Sequence, residues 1–124
     1  VMRPRRDRRR VSDFELQDVG GGRFKLSGEM TFATAEEILR ASEDMFENHT
    51  RITVDLSGVT RADSAGLALL LEWVTWAIHT VREIQFLEMP ERIMAIAKTT
   101  EVDHLLNKGE RWAGFIEAPE ATEA

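Results

Sequence analysis

The chain has no cysteine among its 124 residues, which excludes a disulfide framework, a thiolate metal site and a cysteine nucleophile. It has no uninterrupted apolar run of the roughly 18 residues that a membrane-spanning helix requires. Its basic amino-terminal region is not followed by the apolar segment of a secretory signal. The expectation is a soluble protein that acts in the cytoplasm. His49, His79 and His104 lie far apart, and no H-E-x-x-H occurs. His79 with Glu83 and Glu101 with His104 fall at helical spacing, but neither pair has a second histidine beside it, so neither a metal nor a cofactor is expected. No G-x-S-x-G elbow surrounds Ser64, and no His–acid pair can be assigned to activate it. Gly20-Gly21-Gly22 precedes neither Lys-Ser nor Lys-Thr nor a helix, so it reads as a turn rather than a phosphate cradle. Enzyme chemistry finds no foothold here.

What is present begins with a charge asymmetry. The first ten residues hold six arginines and one aspartate, +5, in a chain of net charge −6, which leaves −11 for the remainder. An acidic body repels phosphate backbones and argues against a nucleic-acid-binding domain. Residues 1–12 are expected to form a disordered arm, either a solvated tail, a tether for anionic lipid headgroups or a nucleic-acid contact. The expected domain spans 13–108. A tail, 109–124, is expected to be loose at its end, with 112–116 docking on the body.

Within the domain, hydrophobicity alternates at period two over Asp13–Val19 and again over Arg23–Gly28, a hairpin across the three glycines. Thr34, with Glu37 three residues later, has the pattern of a capping box. It opens a helix with Ile38, Leu39, Ala41, Ser42, Met45 and Phe46 on one face. Arg51–Leu56 is a strand stopped at Ser57-Gly58. Glu83–Met89 is another strand, stopped by Pro90, which suits the first turn of a further helix carrying Ile93, Ile96 and Ala97. Beyond a break near Thr99-Thr100, Val102, Leu105 and Leu106 repeat the helical spacing. Strands alternating with helices predict an α/β fold: a mixed, mostly parallel sheet opened by an antiparallel hairpin, with helices mainly on one face.

The chain is organised around the stretch from Val54 to Leu67. A polar turn, Thr60-Arg61-Ala62-Asp63-Ser64, leads into a helix over about Ser64–Thr80, and Asp63 and Ser64 are residue types that cap helices. Leu67, Leu70, Leu71, Val74, Ala77, Ile78 and Val81 share a core-facing side. Leu69, Trp73, Trp76 and Thr80 widen the apolar arc to about 220°, more than a one-sided surface helix needs. The surplus is either covered by the carboxy-terminal segment or a patch for a partner, and the partner reading is carried forward. Thr60, Arg61, Ala62, Asp63, Ser64, Leu69, Trp73 and Trp76 are thus the candidate partner-binding residues. Ser64 is at the least a capping residue. Its hydroxyl, at a helix N-terminus, is also placed to touch a partner or to accept a phosphoryl group beside Asp63.

The run V-D-L-S-G-V-x-x-x-D-S-A-G-L from Val54 to Leu67, together with L-S-G-E-M-T at Leu26–Thr31, resembles the STAS domain family over roughly Phe14 to Leu106. That resemblance implies a mixed sheet with helices on one side and a binding module rather than an enzyme. Two branches of the family compete. In anti-sigma factor antagonists, the serine at the Ser64 position is phosphorylated by a kinase that is itself the anti-sigma factor. In the Mla-type branch, a single-domain STAS subunit binds the ATPase of a phospholipid ABC transporter, in a complex with permease and substrate-binding subunits that maintains outer-membrane lipid asymmetry. Asp63–Leu71 followed by Glu72-Trp73, the tryptophan-rich helix and the short carboxy-terminus are closer to the Mla-type branch. By that resemblance the protein is cytoplasmic and peripheral to the inner membrane through its complex, and Ser64 is a contact with the ATPase. STAS domains appended to anion transporters fit less well, since no membrane segment is attached.

Overall fold

The computed structural model describes residues 13–106 and the pair 113–114. The expected arm, 1–12, and all of the expected tail except 113–114 lie outside them. Strands β1 (Phe14–Gly20) and β2 (Arg23–Met30) form the antiparallel hairpin, joined at the glycine turn. Helix α1 (Ala35–Phe46) then leads to β3 (Arg51–Ala62), helix α2 (Ser64–His79) to β4 (Glu83–Leu87), and helix α3 (Glu91–Thr99) to a single 3₁₀ turn at Asp103–Leu105. The pair Ala113–Gly114 adds a short β5 to the sheet, antiparallel to β4. Strand order follows chain order, β1-β2-β3-β4-β5, with the β2–β3 and β3–β4 pairs parallel. The α/β reading and its hairpin are thus observed.

Period-two alternation decides which face each strand buries. Phe24 and Leu26 of β2, Ile52, Val54 and Leu56 of β3, and Ile84 and Phe86 of β4 are buried in one core with the apolar sides of the three helices. The intervening Arg23, Lys25, Thr53, Asp55 and Ser57 are more exposed, so the opposite face of β2 and β3 is polar. Aromatic rings tie the helical layer to the sheet: Phe24–Phe46 at 4.9 Å, Phe46–Trp73 at 5.2 Å and Trp73–Phe86 at 6.4 Å between centroids. Each such fully buried side chain is worth about 1.5–3 kcal/mol relative to exposure.

Three local expectations are corrected. The stretch after Leu56 is not a turn: β3 runs 12 residues to Ala62, and irregularities in its pairing with β2, between Lys25 and Ser27 and between Gly28 and Glu29, carry the ladder past Ser57-Gly58. The stop signal was absorbed by these local bulges. The Thr34–Glu37 capping box does not form. Thr34 makes no side-chain cap, because its Oγ1 accepts from the Thr31 N–H at 3.0 Å and donates to the Glu29 carbonyl at 2.9 Å. Finally, Ile78 and Val81 are exposed rather than core-facing, because α2 ends at His79 and the chain turns away. The turn places Val81 at φ 59° and closes with Val81 N–H to the Ile78 carbonyl and Arg82 N–H to the Ala77 carbonyl.

Candidate functional site

Helix α2 starts where Asp63, in extended conformation, turns its carboxylate back on the first turn: Oδ1 accepts the Ala65 N–H at 2.9 Å. This is the capping role read from the sequence, and it satisfies one of the helix's orphan donors. The other carboxylate oxygen reaches a segment far away in the chain. Oδ2 accepts the backbone N–H of Phe32, 31 positions earlier, at 3.1 Å. Asp63 therefore clips the β2–α1 loop to the start of α2. The approach is close: a Cβ at Gly66 would come within 2.4 Å of the Met30 carbonyl oxygen, so the first turn of α2 tolerates only glycine there.

The loop itself is pinned at both ends. Thr31 and Thr34 are buried, the Thr31 N–H donates to Thr34 Oγ1, and the Ala33 N–H donates to Thr31 Oγ1 at 3.3 Å. Its tip is Phe32, whose side chain is 87% exposed. Among the described residues no other phenylalanine or tryptophan is exposed. Phe32 was not among the candidate residues. The signal that would have found it is an aromatic in L-S-G-E-M-T-F-A-T, between strand and helix, that fits neither period and is flanked by two threonines.

Ser64 is the first residue of α2 and is exposed next to this tip. Thr60 and Arg61 are exposed at the carboxyl end of strand β3. Thr60 Oγ1 donates to the Gly28 carbonyl at 3.3 Å, and Arg61 lies 3.5 Å from Glu29. Ala62 is half-buried against the core. Thr60, Arg61, Asp63 and Ser64 are thus brought together with Phe32 at the carboxyl ends of β2 and β3, where open α/β sheets characteristically present binding surfaces.

Two residues of the expected surface, Leu69 and Trp73, are buried instead. Trp73 is 1% exposed and Leu69 3%, and both are core residues. The physical reason is that α2 lies between neighbours: its Trp73 side meets Ser42 and Phe46 of α1, while other positions meet the sheet and α3. A helix walled on three sides buries a wide arc without any partner. Trp76 is half-buried, with the Arg82 guanidinium 4.7 Å from its ring. Along α2, Ala68, Glu72, Thr75 and His79 are left to solvent, together with Ser64 at its start and Ile78 near its end. The His79 ring nitrogen is engaged with the Thr75 carbonyl of its own helix at 2.9 Å.

A family model described as "Mlab, STAS domain" matches residues 16–107. The chain belongs to the STAS domain family. No curated protein matches its sequence. Solved structures similar to this STAS domain include the anti-sigma factor antagonist SpoIIAA in its unphosphorylated form, at 18% identity over 89% of this chain and 93% of that one, with a TM-score of 0.58. A putative anti-sigma factor antagonist from Thermotoga maritima matches at 16% identity over 89% and 92% of the two chains, with a TM-score of 0.61. The Bacillus cell fate determinant SpoIIAA in its phosphorylated form matches at 18% identity over 89% and 96%, with a TM-score of 0.57. At these identities the likeness establishes the fold. STAS domains are typically regulatory or accessory modules rather than enzymes, and no helix among the described residues of this one is long and apolar enough to cross a membrane.

Proposed function

We propose that this STAS domain is a non-enzymatic accessory subunit that docks through its Phe32–Ser64 end onto the ATPase of a phospholipid-transporting, Mla-type ABC complex, supporting that complex's assembly and activity in outer-membrane lipid asymmetry. The observation that carries the docking reading is the 87%-exposed Phe32, whose backbone N–H is held by the Asp63 carboxylate next to Ser64. An ordered aromatic with polar neighbours is the usual anchor of a protein interface, since it buries much area at small conformational cost. The choice of partner is supported by the Mlab description of the matching family model and by the run from Asp63 to Trp73. On this reading the protein works in the cytoplasm, peripheral to the inner membrane through its partners, and neither nucleic acid nor a cofactor is involved. The Ser64 hydroxyl is a contact, not a modified group.

One alternative rests on its own observation. Ser64 is exposed at a helix N-terminus, where the dipole tolerates a phosphoryl group, and the similarly folded SpoIIAA is known in both phosphorylated and unphosphorylated forms. Under this reading the chain is an anti-sigma factor antagonist switched at Ser64. Affinity purification of the full chain from its own cells separates the two. Co-purification of an ABC ATPase with its permease supports the transporter reading; recovery of a small serine kinase together with a sigma factor overturns it.

A further inference from the structure

Away from the Ser64 end, α1 and α2 enclose a groove of about 150 Å³. Leu39, Phe46, Trp73 and Trp76 give it an apolar, largely aromatic lining, and the exposed Glu43 and Glu72 stand at its rim. The Ser42 hydroxyl on its wall is already engaged, accepting from Trp73 Nε1 and donating to the Leu39 carbonyl. Aromatic faces beneath paired carboxylates match one kind of occupant, a guanidinium: it stacks on indoles and is met by carboxylates in fork geometry.

Two further observations point to the same chemistry. The last turn of α1 contains no basic residue, while Glu43, Asp44 and the C-cap Glu47 crowd the end where the helix dipole favours cations. One guanidinium has already been recruited nearby: Arg82 donates to the Glu47 and His49 carbonyls at 2.7 and 2.8 Å and lies 4.7 Å from the Trp76 ring. Arg82 does not line the groove, so that space remains open.

The chain supplies an occupant. We propose that the groove between α1 and α2 is the docking site of this chain's own arginine-rich segment, residues 1–12, with one guanidinium of Arg3–Arg10 seated over Trp76 between Glu43 and Glu72. The segment is +5 over its first ten residues against −11 for the rest. It leads into β1, which packs against α1, and twelve extended residues span about 40 Å, whereas a helix the length of α1 is about 18 Å long. Reach and charge agree, and the contact does not depend on the partner bound at Phe32.

The full chain carrying Asp7→Cys tests this, because with no native cysteine a nitroxide attaches at that position alone. At low ionic strength the Trp76 indole N–H and the Glu72 amide should lose most of their NMR intensity through paramagnetic relaxation. The loss should disappear at 0.5 M salt (about a 4 Å screening length) and in the Glu43→Gln/Glu72→Gln variant. Broadening centred on Phe32 or on the polar sheet face, broadening unaffected by the double substitution, or no broadening would each overturn the proposal. So would an effect that grows with protein concentration, which would assign the groove to the arm of a second copy.

Discussion

Trp73 and Ser42 share a buried hydrogen bond, the indole Nε1–H donating to Ser42 Oγ at 2.9 Å across the α1–α2 interface. Both residues are at most 2% exposed. Removing the acceptor strands a donor in an apolar environment, so Ser42→Ala should destabilise the domain by about 1–3 kcal/mol. Trp73→Ala should cost about 3–5 kcal/mol, the range for a large core aromatic. Half-buried Trp76, truncated to alanine, should cost distinctly less. Urea unfolding of the three variants orders them, and an equal cost for Trp76 and Trp73 would contradict the asymmetry.

Phe32 makes the opposite case. With its side chain in solvent, Phe32→Ala should leave the unfolding free energy within about 0.5 kcal/mol of the parent. Binding to the ATPase should weaken by about thirtyfold, the roughly 2 kcal/mol of an interface anchor. Calorimetric titration of purified ATPase checks it; undiminished affinity removes Phe32 from the interface.

These two aromatics show what could be read from the chain and what could not. The hairpin, the alternating elements and the Asp63 cap all rest on local periodicity or on a single side chain meeting its own backbone, and such information is contained within a few residues. The fate of Trp73 depends on α1, which is distant in sequence. A wheel with a 220° apolar arc describes equally a helix with an exposed patch and one walled by two other helices. Phe32 was missed for a complementary reason: its exposure follows from Thr31 and Thr34 spending their hydroxyls inside the loop and from Asp63 holding its N–H. Neither is a periodic signal.

Asp63 serves two segments at once, so its substitutions should be separable. Asp63→Ala loses the helix cap and the clip on Phe32, and should cost about 1–2 kcal/mol while also loosening the loop. Asp63→Asn retains an acceptor for one of the two N–H groups and should fall in between. Amide hydrogen exchange at Phe32 and Ala65 reports each bond directly. Unchanged protection at Phe32 in Asp63→Ala would show that the threonines hold the tip unaided.

Ser64 discriminates between the two proposed functions. If it is a contact, Ser64→Ala should weaken partner binding modestly, and Ser64→Asp should weaken it further by placing a second carboxylate beside Asp63. Neither should alter regulation in cells. If it is a phosphosite, Ser64→Ala should bind its partner permanently, and Ser64→Asp should release it. Binding of both variants, with and without ATP and the purified partner, gives opposite signs for the alanine variant.

Val81 offers a stability test independent of any partner. It occupies the position after the α2 C-cap at φ 59°, where the Arg82 and Val81 N–H groups bond back to Ala77 and Ile78. This arrangement normally uses glycine. A β-branched residue in the left-handed region bears a cost of roughly 1–2 kcal/mol, and the Val81 side chain, 62% exposed, gains little burial in return. Glycine would relieve the strain but lose about 0.4–1 kcal/mol through the greater freedom of the unfolded chain. The balance favours Val81→Gly by about 0.5–1 kcal/mol, several degrees in Tm for a domain of this size. Thermal unfolding measures it. A lower Tm would mean that Val81 makes contacts that compensate for its backbone, and would make the exposed Ile78–Val81 end of α2 part of the packed structure.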